Sequence, residues 1–320
     1  MAKAEVIVLT NCTNRKRVLV PDEQAARSLP PGNIAHISQE WVSRLKKAVH
    51  SHMADQLYCG RGLTETVSAA QGMGAEIAFV SAGLGVVAPR QRIPSYSLTT
   101  SSGYPDSVGS RVRGSFDPVS WWRALARAQG GSDHPLADFI ASTGASLVLC
   151  AMPASYFELV AHEIARLPAP LLRTVRVMGP RRQEDVIDAL RPYWLPYDAR
   201  LDAPETGYNG TASDFPHRAL RHFSVEVLPR VGVAASRTHV AYVENMLAQF
   251  SPYVRPRGQS ASDVEVTSAI EALWKRHEGR RSGILRALRS ERHIACEQTR
   301  FRRLMDKFEE NRNGAAQKRS

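Results

Sequence analysis

The chain has 320 residues, of which 43% are hydrophobic and 23% are charged. This balance excludes a wholly disordered protein and supplies enough apolar side chains for a sizeable core. The 42 lysines and arginines outnumber the 31 aspartates and glutamates, so the formal net charge is +11 at pH 7. A chain this basic is expected to bind a polyanion, and a basic surface kept only for solubility is the weaker interpretation.

The cysteines are Cys12, Cys59, Cys150 and Cys296, which are too far apart for a disulfide framework or a zinc-binding spacing. We therefore predict buried thiols, no metal and no other cofactor. No apolar run approaches the ~20 residues of a membrane span, and the apolar stretch near the N-terminus is too short for a signal peptide. The sequence predicts a cytoplasmic protein without a membrane partner.

Four nearly continuous apolar runs predict strands that are buried on both faces, at residues 5–10, 76–81, 146–152 and 174–178. Helical patterns separate them, at about 38–57, 63–72, 118–128, 155–166 and 181–190. This alternation predicts an α/β domain with a mainly parallel four-stranded sheet flanked by helices. In such sheets the site forms beyond the carboxyl ends of the strands, so the loops that follow the strands are the candidates.

The first such loop carries small polar side chains and a nearby cation, in the order Asn11, Cys12, Thr13, Asn14, Arg15 and Lys16. It can hold an anion or a base edge through hydroxyls and backbone amides, although an ordinary polar turn is the more frequent outcome.

The loop after the second strand runs from Ser81 through Gly83 and Gly85. Its Gly-x-Gly-x-x-Ala spacing does not indicate a dinucleotide site, because Pro89 and Pro94 prevent the helix that such a site opens. We expect a glycine loop that lets a ligand approach the backbone. It leads to Tyr96, which either stacks on a base or covers the core.

The last two strands are followed by further candidates. Tyr156, next to the predicted N-cap Ser155, faces either the site or the sheet. Arg181 and Arg182 start the next predicted helix, where their charges oppose the helix dipole and favour an anion contact.

A dense polar cluster at residues 207–218 contains Gly210 and Asp214. Asp214 is a candidate general base or substrate-positioning carboxylate, and equally a candidate cap for the helix that begins near Pro216.

Residues 254–263 are rich in Pro, Gly, Ser and Arg and predict a linker. Residues 271–320 hold 14 Lys/Arg and 7 Asp/Glu, and three apolar stripes predict three helices. Arg300, Arg303 and Lys307 share a face of the last one. The sequence predicts two domains, 1–253 and 264–312, the second being a helix-turn-helix-like nucleic-acid-binding module. A helical appendage packed on the main domain is the alternative.

Several of these segments resemble the motifs of one superfamily. Cys12 to Lys16 is similar to a Cys-Ser-x-x-Lys element, and Leu57-Tyr58-Cys59-Gly60 resembles Leu-Tyr-x-Gly. The stretches 81–85 and 93–96 resemble a Ser-Ala-x-x-Gly-Leu…Ile-x-x-Tyr pattern. Together they resemble the uracil-DNA-glycosylase-like α/β domains of the peroxide-stress protein family, of archaeosine-synthesis enzymes and of phage-defence loci, over about residues 1–230.

The resemblance implies a uracil-DNA-glycosylase-like fold that cleaves the N-glycosidic bond of a base taken out of the stack. The chain lacks the Gly-x-Asp-Pro-Tyr and His-Pro-Ser-Pro loops of uracil-DNA glycosylases, so uracil itself is not the expected substrate. We assign Asp214 to stabilise the cationic sugar and Asn11 to stabilise the leaving base. The expected substrate-binding residues are Cys12, Thr13, Asn14, Ser81, Gly83, Tyr96, Tyr156 and Gly210. The expected phosphate-binding residues are Lys16, Arg181, Arg182, Arg300, Arg303 and Lys307.

The expected function is therefore that of a DNA glycosylase that leaves an abasic site in double-stranded DNA, for example at glucosylated hydroxymethylcytosine in phage DNA. Two alternatives stay open. One is an enzyme of tRNA deazapurine base modification, and the other is a non-catalytic DNA-binding protein.

Overall fold

The computed structural model of the chain describes residues 5–253 and 258–317. The chain divides into two compact units, Met1–Tyr253 and Val254–Ser320. The first is an α/β unit and the second is helical.

The first unit is built around a five-stranded sheet in the order β4-β3-β1-β6-β7. Its strands are β1 (Val6–Asn11), β3 (Glu76–Ser81), β4 (Gly85–Val87), β6 (Leu147–Ala151) and β7 (Val175–Val177). Strands β3, β1, β6 and β7 are parallel, with Leu9 of β1 in register with Ala78 and Cys150. A separate short antiparallel pair joins β2 (His52–Met53) to β5 (Arg92–Ile93).

Successive side chains of the central strands point to opposite faces of the sheet and so contribute to two hydrophobic cores. Ile7 and Leu9 point into the core on one face of the sheet, whereas Val6 and Val8 point into the core on the other face. All four side chains are at most 5% exposed. This double burial explains why β1 is a continuous apolar run rather than an alternating one.

Helices cover both faces of the sheet. Those of the first unit are α1 (Ile34–Lys47), α2 (Ala54–Leu57), α3 (Arg61–Met73), α4 (Pro118–Ala128), α5 (Pro135–Thr143), α6 (Ala154–Ala165), α7 (Ala169–Leu172), α8 (Phe215–His222), α9 (Leu228–Val231) and α10 (Ser236–Ala248). The α/β prediction is confirmed, and α4 has the bounds that the sequence predicts.

Three predictions about the elements are wrong in part. The sheet has a fifth, antiparallel edge strand, because the chain turns back at Gly85 (φ +77°) and β4 pairs with β3. The helix predicted at 38–57 ends at Lys47, and the chain then enters β2. The segment 181–190 forms 3₁₀ turns, Gln183–Asp185 and Asp188–Tyr193, instead of an α-helix, and the second contains Pro192, which has no amide to donate.

The second unit contains α11 (Asp263–Trp274), α12 (Arg281–Ser290) and α13 (Gln298–Gln317). The apolar stripes that predict these helices pack together, with Val266, Ile270, Ile284, Leu304 and Met305 among the buried residues. The first four residues of the predicted linker, 254–257, lie outside the described residues. Beyond them Gln259 pairs with Ile294, so the segment before α11 contacts the unit that it precedes.

Within residues 5–253 and 258–317, no helix is both long and apolar enough to cross a bilayer.

Three histidines of the first unit make its stability sensitive to acid. Burial lowers the pKa of both His217 and His222 to about 4, and burial also lowers the pKa of His239. Between pH 6.5 and 4 the unfolded chain therefore binds more protons than the folded chain, and the free energy of unfolding falls as the pH falls. A shift from 6.5 to about 4 corresponds to roughly 3 kcal/mol for each residue.

We expect urea unfolding at pH 4.5 to give a lower free energy of unfolding than at pH 7.5. The loss should be smaller in His222→Gln, because glutamine does not titrate. His162→Gln, at an exposed position of α6, should retain the full loss. Equal stability at both pH values would contradict the assignment.

Candidate functional site

Four loops meet at the carboxyl edge of the sheet, because β1, β3, β6 and β7 run in the same direction. A backbone ladder draws a more distant segment to the same edge. Lys16 pairs with Tyr58, and the amides of Arg17 and Cys59 donate to the carbonyl oxygens of Leu57 and Arg15. The loop after β1 therefore lies against the segment that precedes α3.

Lys16 is the centre of a cluster at this edge. Its Nζ lies 4.6 Å from the ring centre of Tyr96 and 5.1 Å from that of Tyr58, and it donates to the carbonyl oxygen of Thr13. We call the group Cys12, Lys16, Tyr58, Ser81, Tyr96 and Tyr156 the lysine cluster. Aromatic faces and a carbonyl oxygen replace part of the water that the ammonium loses.

Hydroxyls and a thiol hold the cluster together. The Tyr96 hydroxyl is 2.6 Å from Ser81 Oγ and 2.8 Å from the Tyr58 hydroxyl. The Tyr156 hydroxyl is 3.3 Å from Cys12 Sγ. Burial raises the pKa of Tyr58, Tyr96 and Tyr156 well above the ordinary value, so the three phenols stay neutral at physiological pH.

Lys16 is the charged member of this cluster. Burial lowers its pKa, and the nearby thiols of Cys12 and Cys59 act in the opposite direction. No carboxylate forms an ion pair with Lys16 in the ranges 5–253 and 258–317. A half-buried ammonium without a carboxylate partner at a strand end is suited to an anion or to a group that develops negative charge.

The sequence predicts that the glycine loop after β3 lets a ligand approach the backbone. In the structure, the space beside Gly83 is instead filled by the ring of Tyr96. Gly83 is buried, and a Cβ there would lie 2.9 Å from the Tyr96 ring. The indoles of Trp41 and Trp121 donate to the carbonyl oxygens of Gly83 and Ala82, each at 2.8 Å. The Ser81 hydroxyl accepts from the amides of Gly83 and Leu84. The loop is a clamped turn of the β3–β4 hairpin.

The two tyrosines predicted as candidate base-stacking surfaces are core residues in this structure. Tyr96 is 0% exposed and Tyr156 is 6% exposed, so neither presents a ring face to a base. The alternatives of covering the core, for Tyr96, and of facing the sheet, for Tyr156, describe these residues better.

The β1 loop brings both buried and exposed polar groups to this edge. The Asn11 amide donates from Nδ2 to the carbonyl oxygen of Cys12 at 2.7 Å. Its Oδ1 is buried and has no hydrogen-bond partner among the described residues. Thr13 Oγ1 donates to the carbonyl oxygen of Arg15 and accepts from the amide of Cys59, while Asn14 is exposed. Asn11 therefore offers an unused acceptor beside the lysine cluster.

A cleft of about 360 Å³ opens between the ends of β6 and β7 and the start of α8. It is lined by the residues that follow the two strands and by the first turn of α8, namely Pro153, Ala154, Gly179, Pro180, Arg181, Arg182, Asp185, Ala212, Phe215 and Pro216. The first turn of α6 joins the cleft to the lysine cluster, since Ala154 lines the cleft and Tyr156 reaches Cys12.

The two arginines of the cleft are ion-paired. Arg181 pairs with Asp202 and lies over the ring of Phe215, 4.0 Å from its centre. Arg182 pairs with Asp185 at 2.6 Å and is 66% exposed. An exposed pair of this kind contributes little stability. Arg181 is more firmly held.

Asp214 is an anchor and not a free base. It is 5% exposed and accepts hydrogen bonds from Arg218 Nε at 2.7 Å and from the amide of Thr211 at 2.8 Å. Arg61 Nε lies 3.5 Å away. The predicted side-chain cap of the helix near Pro216 is not formed, because the Asp214 side chain makes no hydrogen bond to the first amides of α8. The carboxylate is instead occupied by Arg218 and by the amide of Thr211, which starts the preceding 3₁₀ turn Ala212–Asp214.

Arg218, which the sequence reading missed, organises this region. It is 1% exposed, pairs with Asp202 at 2.8 Å and donates to the carbonyl oxygens of Tyr208 and Thr211. A Cβ at Gly210 would lie 2.4 Å from Arg218 Nε, so the glycine is needed for the close approach of this arginine. The i, i+4 spacing from Asp214 was the available signal.

His217 connects the strand end to α8. Its Nδ1 lies 3.0 Å from Thr66 Oγ1 and 3.4 Å from Thr10 Oγ1, and Thr10 precedes Asn11. Tyr58 of the lysine cluster lies three residues before Arg61, which contacts Asp214. Asn11, Tyr96 and Asp214 therefore lie at the same edge of the sheet, although Tyr96 and Asp214 are buried there.

In the second unit, the predicted basic face is largely used within the unit. Arg300 and Arg303 each pair with Asp263 at 2.7 Å, and Arg300 also donates to the carbonyl oxygen of Ala261. These contacts fix α13 to the start of α11. Lys307 is exposed and forms no ion pair with any described residue.

No group of three or more potential metal ligands is found among the described residues. No protein-family model, no curated protein and no solved structure matches the chain. The superfamily resemblance therefore rests on its motif residues.

We expect Asp214→Asn to lower the free energy of unfolding by about 2–4 kcal/mol, because it leaves the buried Arg218 with a weakened charge balance. Urea denaturation measures the change. Asp138→Asn, at an exposed position of α5, is the matched control and should change stability by less than about 0.5 kcal/mol. Wild-type stability in Asp214→Asn would contradict the anchoring role.

Proposed function

We propose that the chain is a DNA glycosylase that removes a bulky modified base, such as glucosylated hydroxymethylcytosine, and leaves an abasic site. One observation carries the proposal. The separate segments of the superfamily resemblance, which contribute Cys12 and Lys16, Tyr58, Ser81 and Tyr96, meet in the lysine cluster. These segments are spread over 85 residues of the chain (12 to 96), and they converge at the carboxyl edge of the sheet, where the sites of parallel sheets form.

The chemistry requires help for the leaving base. The bond between C1′ and the base nitrogen breaks with its electrons going to the base, and a water molecule supplies hydroxide to C1′ and a proton to the base. The Lys16 ammonium stabilises the negative charge that develops on the base. Asn11 Oδ1 is buried and has no partner within the described ranges. It becomes accessible when the base enters, and it then accepts a hydrogen bond from the exocyclic amino group.

The cleft beside α6 takes the bulk of the modified base. Its volume of about 360 Å³ falls within the range of small-molecule pockets. Arg182 at its rim exchanges Asp185 for a phosphate of the DNA backbone. Asp214 and Arg218 hold the wall that α8 contributes, so we now assign Asp214 a positioning role in place of a direct catalytic one.

The first test is base release. The protein is incubated with phage DNA that carries glucosylated hydroxymethylcytosine and with unmodified DNA, and released bases are measured by mass spectrometry. We expect modified base and abasic sites from the first DNA alone. Asn11→Ala should reduce the rate at least tenfold, because one hydrogen bond to the base is lost, whereas Asn245→Ala, at an exposed position of α10, should not.

If no modified DNA yields free base, the proposal is refuted. Labelled-base exchange into tRNA would then favour the deazapurine alternative, and DNA binding without release from any substrate would favour a non-catalytic protein.

The second test is the pH dependence of base release. Since the ammonium form of Lys16 is the active form and burial lowers its pKa, the rate should fall with alkaline pH at a midpoint below the 10.5 of an ordinary lysine. Lys16→Arg should move this fall to higher pH, and Lys16→Gln should give a slow rate without it. A fall that persists unchanged in Lys16→Gln would show that another group titrates.

A further inference from the structure

The exposed side of α12 in the second unit is bordered by two grooves, the first mainly polar and the second mainly apolar. The first, of about 320 Å³, lies between α12 and the turn before it and is lined by His277, Arg280, Ser282 and Arg286. The second, of about 260 Å³, lies between α12 and α13 and is lined by Ser282, Leu285 and Arg302. Because Ser282 borders both, the grooves lie on opposite sides of one ridge of α12.

Each groove carries an arginine that the unit itself does not use. Arg286 in the first and Arg302 in the second are exposed, and neither forms an ion pair with a residue that the structure describes. By contrast, Arg276, Arg281, Arg300 and Arg303 are paired with carboxylates within the unit. Two of the exposed cations that have no ion pair among the described residues therefore flank α12, and Lys275, Arg292 and Lys307 are other such cations of the unit.

The first groove also contains an unused polar atom. His277 Nε2 is buried and has no hydrogen-bond partner in the described part of the chain. Arg280 at the same groove is paired with Glu278, but both side chains are more than 70% exposed, so this pair competes weakly with a phosphate. The groove thus offers the two cations Arg280 and Arg286 to an anion, while Glu291, which also lines it, is paired with Arg276.

The dimensions of this arrangement suit duplex DNA. An α-helix with its side chains is about 10–12 Å across, and the major groove is about 12 Å wide with a phosphate backbone on each side. Gly283 on α12 leaves room for the ring of His277, which packs against this helix. We infer that α12 enters the major groove of duplex DNA, with Arg286 and Arg302 on the phosphates of the two flanking strands.

This inference rests on the DNA-binding part of the proposed function but not on base release. It replaces the predicted α13 face of Arg300, Arg303 and Lys307 as the contact surface. The two surfaces make opposite predictions for Arg286 and Lys307, and both side chains are exposed, so their removal leaves the fold intact.

The test is the salt dependence of binding by the full chain to an unmodified duplex of about 20 base pairs, followed by fluorescence anisotropy. Each lost phosphate contact lowers the magnitude of the slope of log K against log salt by about 0.9. We expect this decrease in Arg286→Ala and in Arg302→Ala, and no decrease in Lys307→Ala. Thermal unfolding of each variant verifies that its stability is unchanged.

A decreased slope in Lys307→Ala together with an unchanged slope in Arg286→Ala would overturn the inference. So would the absence of salt-dependent duplex binding, or equal affinity for a single strand of the same length. Base release is measured on the same variants. Release without the slope changes refutes this inference alone, and slope changes without release refute the glycosylase proposal alone.

Discussion

The Lys16 ammonium is half-buried and has no carboxylate partner among the described residues, and this is the constraint on which the carboxyl edge depends. Lys16 loses much of its water there, and a buried charge is costly unless other groups replace that water. The rings of Tyr58 and Tyr96 and the carbonyl oxygen of Thr13 do so in this structure. Each of these groups must be held in place, which explains the neighbouring hydroxyl network and the glycine under Tyr96.

A second buried charge system supports the same edge from the other face of the sheet. Arg218 and Asp214 are paired inside the protein, and Asp202 joins Arg218 to Arg181 at the cleft. In this network every charge has an opposite partner, whereas the lysine cluster has a charge without one. That contrast is why we place the chemistry at Lys16 and the scaffolding at Asp214.

The sequence predicts the sheet well because β1, β3, β6 and β7 are buried on both faces and so leave nearly continuous apolar runs. It does not predict β4, because three residues are too few to show the apolar pattern of a strand. It predicts a ligand-binding loop at Gly83 and Gly85, where the structure has the turn of a hairpin. The sequence predicts the loops at the carboxyl edge because the end of each apolar run marks the end of a strand. The burial of these loops could not be predicted, because nothing local in the sequence places Trp41 and Trp121 over the glycine turn. The pairing of Arg218 with Asp214 has a local signal in its i, i+4 spacing, but the burial of that pair depends on tertiary packing.

The Ser81 hydroxyl accepts hydrogen bonds from the amides of Gly83 and Leu84 in the turn, and it also contacts the Tyr96 hydroxyl. The lysine cluster is thereby tied to the hairpin that places β4 along the border of the sheet. Strand β4 covers the side of β3 that would otherwise present unpaired amides and carbonyls to other molecules. Loss of the Ser81 hydroxyl would loosen the turn that holds β4 in place, and an uncovered β3 would favour pairing with a strand of another molecule.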